Sequence, residues 1–457
     1  MRRGALSAAI LALGLSACAQ YAPAPPRLEA FPANLDARRL DDRLNGAAWS
    51  GADLLGAAID RNPQIAEARA KYITAVAAAR AAKSPPGPSL TLTAEYASEA
   101  PHWGYGGAGD IPLDVGVRRG VRITTAQLQA LQAFYDYGET VWSVRTDLEK
   151  ARVELNAART EMVLATLSFG VRAERARRLD ARVAAGQDAR AVAIAAQGDA
   201  VAANRRLAAA AGRRDAAVID LAKALGVSPA VARDLNLADA PDAPPLKDLA
   251  TWRRDAAVSR RDVLRAVADY DLAEQALRLE IANQYPSVSL GPGYNYDHGV
   301  TKLPFNLSLA LPPWDLNRRA IAQAESARVA AGRSLELAQA NALSAVDTAA
   351  AALATAQDDF RRTRDRDLPM AQQTHDGALR SLKAGEGDTV DELAAQGAVM
   401  DAQLALLDAR RTAAAATADL EDALRRSFDP AETAVIQTTI TNLKTDRKTD
   451  VAMRVGR

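Results

Sequence analysis

The chain has one cysteine, three histidines, few aromatic residues and, past its first residues, no long apolar run, and each shortage closes off a class of protein. A single thiol, Cys18, excludes a disulfide within the chain. His102, His298 and His375 are scattered without ligand spacing, so no metal site is expected. With 57 basic against 56 acidic side chains the net charge is +1, which leaves no basic footprint for nucleic acid. No apolar run after the N-terminus reaches the roughly 20 residues that a membrane helix needs. A Gly-rich phosphate loop, a His-Glu-x-x-His motif and a usable nucleophile are all missing, so neither an enzyme nor a cofactor is expected. Aromatics at 5% beside a large excess of alanine argue against a core of large side chains and for long, closely packed helices.

The first residues are of another kind. Met-Arg-Arg, an apolar stretch from Ala5 to Leu15 and then Ser16-Ala17-Cys18 have the charge, length and small residues of an export signal. A lone cysteine directly after Leu-Ser-Ala resembles the lipobox of bacterial lipoproteins, which implies a signal peptide over 1–17 and lipid attachment at Cys18. Ala19 and Gln20, with no Asp after the cysteine, resemble lipoproteins sent on to the outer membrane. The Pro-rich run 21–26 reads as part of a tether over 18–50.

What the chain has in plenty is itself, written twice. Ala-Ala-Gln-Gly stands at 195–198 and again at 394–397, and twelve residues before its glycine lies another, Gly186 or Gly385. Pro88-Ser-Leu-Thr-Leu likewise aligns with Pro286-Ser-Val-Ser-Leu. A period of about 199 residues marks a duplicated domain half, not a solenoid unit. The reading gives a first repeat over 51–225, a joining segment over 226–254, a second repeat over 255–428 and a tail over 429–457, the joining segment as a collar and the tail as a mobile end.

Within each repeat the helical runs match in length. No proline interrupts residues 113–182, and Leu128, Leu131, Phe134, Val141, Leu148 and Val153 recur at helical spacing. One helix of roughly 70 residues would be about 105 Å long. The flanking runs 52–83 and 187–225 together equal it, and 313–383 against 255–285 plus 388–427 repeats the match. Two short helices laid end to end beside one long helix, with a reversal at Gly186 or Gly385, is the simplest packing. Between the first short helix and the long one, each repeat inserts alternating segments. Leu303, Phe305, Leu307, Leu309 and Leu311 alternate with polar or small residues, as do Leu90, Leu92 and Ala94. Trp103, Tyr105 and Ile111 mark a weaker second strand in the first repeat. This is the pattern of a membrane barrel with lipid outside and water inside. Four strands cannot close, and unpaired backbone is not tolerated in lipid, so the edges must pair with other copies.

With the duplication, strands, helices and lipobox together, the chain resembles the TolC-type outer-membrane factors, the exit ducts of tripartite efflux pumps. Its carriers are Asn62-Pro63-Gln64, the corners Pro112-Leu-Asp114-Val-Gly116 and Pro313-Trp-Asp315-Leu-Asn317-Arg318, and the tips Ala185-Gly186 and Ala384-Gly385. The resemblance implies a mainly α protein with a membrane β-barrel part: duplicated helical hairpins, four strands per protomer, and a homotrimer with a twelve-stranded barrel and an α-helical periplasmic tunnel. It implies an adaptor protein docking at Gly186 and Gly385, an inner-membrane pump beyond it, and an outer-membrane location extending into the periplasm. The family pattern sets acidic residues six and nine positions after the second tip glycine, at the periplasmic aperture. Here the sixth is Asp391, the ninth is Ala394, and Asp388 and Glu392 stand close enough to substitute. In the first repeat the matching position is Val192, with Asp188 nearby. Lipobox and Leu-Asn-Arg-Arg corner are similar to ducts of resistance-nodulation-division pumps, including the CzcC-like heavy-metal branch. Export of drugs or metal cations is the expectation. Protein secretion and a non-conducting periplasmic coiled-coil scaffold stay open as alternatives.

Overall fold

The structure is a computed structural model and describes residues 23–40, 48–98, 100, 102–113, 116–239, 248–297 and 299–455, with side chains to residue 443. It divides into two units, residues 1–39 and 40–457. In the first, helix α1 (Ala30–Ala37) has no buried residue. Cys18 lies outside the described residues.

The second unit carries the duplication. In the first repeat, α2 (Gly51–Arg61) and α3 (Pro63–Ala81) lead into β1 (Ser89–Tyr96) and β2 (Trp103–Pro112), and the long α4 (Val117–Ala184) and α5 (Arg190–Leu225) follow. After the short α6 (Pro229–Arg233), the second repeat runs α7 (Leu249–Ser259), α8 (Arg261–Ala282), β3 (Ser287–Asp297), β4 (Val300–Lys302), β5 (Phe305–Ala310), α9 (Arg318–Arg362), a π-helical turn (Thr363–Asp367), α10 (Leu368–Ala384) and α11 (Thr389–Leu424). The 68 residues of α4 make a rod of about 100 Å.

Both expected long helices are present, but the second is not uniform. Pro369 has no N–H to give, and its ring crowds the carbonyl four residues back; the wider π turn just before it takes up that conflict. The short helices are also broken, at Asn62-Pro63 and at Arg260, and the breaks are joints. Asn62 caps α3 by accepting from Gln64 N at 2.8 Å, and its Nδ2 donates to Ala224 O, at the end of α5, at 2.7 Å. Gly226 closes α5 at φ +71°, and a Cβ there would lie 2.5 Å from Arg61 O. The second repeat builds the same joint from other residues: Arg260 Nη1 donates to Ala423 O at 2.5 Å, and Arg425 takes the left-handed place at φ 51°. In each repeat a short helix thus ends where another begins, both beside the long helix.

The strands form one antiparallel sheet in the order β1-β2-β3, with β4 and β5 both on β3. Four strands were expected; the fourth is split at Leu303-Pro304, since proline cannot donate to a ladder. The pairing across β2 and β3 joins the two repeats. Its register puts Leu90, Leu92, Ala94 and Tyr96 on one face with Trp103, Tyr105, Ile111, Val288, Leu290, Tyr294, Tyr296, Phe305, Leu307 and Leu309. Thr91, Thr93, Glu95, Asp110, Ser287, Ser289, Asn295, Asn306 and Ser308 take the other. Tyr96, Trp103, Tyr105 and Tyr296 gather at the far end of the apolar face, Tyr105 stacked on Tyr296 at 5.0 Å.

The main core lies halfway along α4, where Trp142, Leu148 and Leu155 meet Leu54, Leu55, Leu221 and Leu225. In the tail, α12 (Pro430–Val455) is helical, and Ile436 and Leu443 join this core. Its anchor is a buried ion cluster. Arg145 donates through Nε to Glu432 at 2.8 Å and through Nη2 to Glu421 at 2.6 Å, while Ser427 donates to Glu432 at 2.7 Å. Part of the joining segment packs here too: Trp49 and Leu237 form a parallel bridge, with Trp49 N donating to Asn236 O at 2.8 Å. Residues 240–247 of it lie outside the described residues.

Candidate functional site at the helical tips

At the end of each long helix a glycine takes the left-handed conformation, Gly186 at φ +74° and Gly385 at φ +76°. Both turns close by the same backbone pattern: Gly186 N donates to Val183 O and Gln187 N to Arg182 O, Gly385 N to Leu382 O and Glu386 N to Ser381 O. The turns leave Asp188 and Asp388 just ahead of α5 and α11. Asp388 caps α11, accepting from Val390 N at 3.1 Å.

One side chain that the sequence reading passed over holds these parts together. Arg182, in the last turn of α4, pairs with Asp188 through Nε at 2.6 Å and with Asp388 of the other repeat through Nη1. A single guanidinium therefore ties both tips. The signal for it was a basic residue four places before the tip glycine, an arrangement that helix C-termini favour anyway. Behind it, Val390 joins Ala176, Leu179, Ala193 and Ala196 in a small apolar cluster between the hairpins.

The four acidic candidates separate by environment. Asp188 and Asp388 share the single charge of Arg182, and Glu392 lies 3.0 Å from His375 Nε2 on α10. Asp391 is exposed and, among the described residues, has no ion-pair or hydrogen-bond partner. Asp388 and Glu392 thus both make contacts within the chain, with Arg182 and His375 respectively. Val192 is exposed on α5. Of the histidines, His102 is exposed in the β1–β2 loop with Nδ1 3.1 Å from Ala97 O, and His298 lies outside the described residues. Among the described residues no group of three or more His, Cys, Asp or Glu could hold a metal ion.

Further along, charged bridges link the hairpins. Arg172 pairs with Asp401 at 2.6 Å, and Arg206 spans Glu161 on α4 and Asp408 on α11. Burial pushes the Glu161 carboxyl up, but the hydrogen bonds and charges of Arg213 and Arg206 outweigh it and hold the group below its ordinary value. Among the described residues no helix is long and apolar enough to cross a membrane.

A sheet with one apolar exposed face, joined to paired hairpins reversing at acidic tips, defines a class, and comparison with known proteins gives the same one. The chain belongs to the outer membrane efflux protein family, which matches residues 54–227 and 252–424, one segment for each repeat. Among solved structures it is similar to a membrane protein from Pseudomonas aeruginosa, with 19% identity, TM-score 0.71, and 91% of this chain and 98% of that one covered. It is similar also to the outer membrane protein VceC from Vibrio cholerae, with 19% identity, TM-score 0.68, and 83% and 97% covered. The open state of the MtrE outer membrane channel from Neisseria gonorrhoeae matches at 20% identity and TM-score 0.65, with 82% and 89% covered. At such identities the likeness speaks to the fold. No curated protein sequence matches the chain.

Proposed function

We propose that three copies of this chain close a twelve-stranded barrel in the outer membrane, continued by a helical tunnel that receives small molecules from a periplasmic adaptor and an inner-membrane pump. The observation that carries the reading is the sheet: one apolar face running across β1, β2, β3 and β5, and two edges, β1 and β5, with ladders open on one side. In lipid such edges must be paired, and pairing β5 of one copy with β1 of the next uses both at once. Three copies give a lumen of useful width, two give one filled by side chains.

In this reading Cys18 carries the lipid anchor and the tips around Gly186 and Gly385 receive the adaptor. Asp391 is the residue that faces the aperture. Three such carboxylates around a constriction favour cations over anions. The exported class is drugs or metal cations, the metal passing through as cargo. Protein export through the same duct remains the second reading.

The test is the mass of the detergent-extracted protein together with its conductance in a planar bilayer. A conducting trimer is expected, and a water-soluble monomer without conductance would refute the barrel. Asp391→Asn should lower cation selectivity and weaken block by divalent cations. Unchanged currents would remove Asp391 from the aperture.

A further inference from the structure

We infer that the ring where the strands pass into the long helices binds the headgroups of anionic phospholipids in the periplasmic leaflet. The inference rests on the barrel reading above.

The apolar face of the sheet runs along Phe305, Leu307 and Leu309 on β5, and Leu311 keeps the same alternation at its end, 78% exposed. Beyond it stands Trp314, exposed over its whole surface. An indole has an apolar body and one N–H donor, which suits the boundary between acyl chains and headgroups. At the same corner are Arg318 and Arg319. Arg319 is 96% exposed, and its approach to Asp315 is a loose 3.9 Å. The first repeat has a matching corner, where Val117 is exposed beside Arg118 and Arg119. Lys83, at the entry to β1, is exposed near the same end of the sheet.

Two arginines of this ring have structural duties. Arg118 Nη2 donates to Ala282 O at 3.1 Å, and Arg122 donates to Ala82 O at 3.1 Å and Ser84 O at 3.2 Å, so each holds the end of a short helix. Arg119, Arg318 and Arg319 are exposed and need another reason. Helix stability does not provide one. Both arginine pairs sit in the first turn of a long helix, where the macrodipole disfavours cations, and neither first turn has an acidic residue. Among the described residues the far end of the sheet has no such excess: Lys302 there is paired with Asp297 at 2.8 Å, and Glu95 is exposed. Among the described residues, positive charge is thus concentrated at one end of the sheet, where Lys83, Arg119, Arg318 and Arg319 outnumber Asp110 and Asp315, next to an exposed tryptophan and at the end of the lipid-facing strands. A lipid surface with negative headgroups is the partner that this combination fits.

The test uses the full chain, extracted in mild detergent and placed in nanodiscs of phosphatidylcholine with or without phosphatidylglycerol. Lipid retained through gel filtration is counted by native mass spectrometry, with Arg119→Gln/Arg318→Gln/Arg319→Gln and the corresponding Lys triple variant compared. Wild type and the Lys variant should keep phosphatidylglycerol preferentially, and the Gln variant should bind it roughly 100-fold more weakly for three lost cations. Inorganic phosphate should not displace the lipid. Equal retention of the two lipids by wild type, or equal retention by the Gln variant, would overturn the inference. Displacement by inorganic phosphate would also overturn it and make the ring a site for the free ion. Should the Gln variant fail to assemble, the choice of wild type between the two lipids decides alone. The same spectra give the oligomeric mass: a wild-type monomer sinks the barrel reading, whereas a trimer without headgroup preference sinks only this one.

Discussion

Arg145 shows how much one side chain can hold in a protein of mostly small residues. It is 3% exposed and faces Glu421 and Glu432, both also buried. Burial pushes the Glu421 carboxyl above its ordinary value, and the Arg145 charge pulls it back only in part. Replacing Arg145 with methionine would keep the volume and strand two carboxylates in the dark, at a cost of about 3–5 kcal/mol. The expected result is a lower denaturation midpoint and release of α12 to protease, read by chemical denaturation and limited proteolysis; an unchanged midpoint would mean that the cluster contributes nothing. No sequence pattern announced it. Arg145 and Glu421 lie 276 residues apart, and each alone reads as a solvated helix charge. The tip carboxylates teach the same lesson, since Asp388 and Glu392 look equivalent to Asp391 until Arg182 and His375 are seen beside them. Which charge is paired depends on contacts that sequence spacing does not show, 206 residues apart for Arg182 and Asp388 and 17 apart, across the tip turn, for His375 and Glu392.

Elements were far more legible. The length of α4 followed from the absence of proline over 113–182 and from its tip glycine, because a long helix needs only continuous propensity and a glycine stop, and the second repeat followed from its match in length to the first. The apolar strand face followed from alternation, and the observed register agrees with it residue by residue from Leu90 to Leu309. What the pattern hid were interruptions: the proline that splits β4 from β5, the π turn before Pro369 and the joints at Asn62 and Arg260. Each keeps the overall period while changing the hydrogen bonding locally. Between elements, the Arg182 tie predicts a behaviour of its own. Arg182→Gln would free Asp188 and Asp388 from each other and loosen α11 at its start. Conductance at low voltage should rise severalfold, and unaltered currents would mean that the apolar cluster around Val390 holds the tips without help.

On the scale of the molecule, membrane and periplasmic parts are built from the same duplicated plan but rely on different physics. The sheet depends on its neighbours, having open edges and little buried surface of its own. The helices around Trp142 have a core inside one chain. Cutting the chain between Asp239 and Asp248 should therefore yield two pieces that still assemble when produced together, since the β2–β3 ladder and the α4–α11 bridges join them without the connecting segment. Coelution of the two pieces is the expected result, and their separation on gel filtration would make the covalent link essential.

The β2–β3 pairing has one more consequence. Inside a chain it joins the last strand of the first repeat to the first strand of the second; in the proposed ring, β5 meeting β1 joins a last strand to a first strand in the same way. Six seams of one kind would then run around the wall, three within chains and three between them, and the barrel has six nearly equal staves although only three molecules supply them. Differences between the repeats in the helices that continue these staves, such as Gly170 where its counterpart has Pro369 or Asn62 where its counterpart has Arg260, are the means by which the helical part departs from sixfold symmetry. They alternate around the ring, so any movement that uses them shifts every second helical hairpin and leaves the barrel strands as they are.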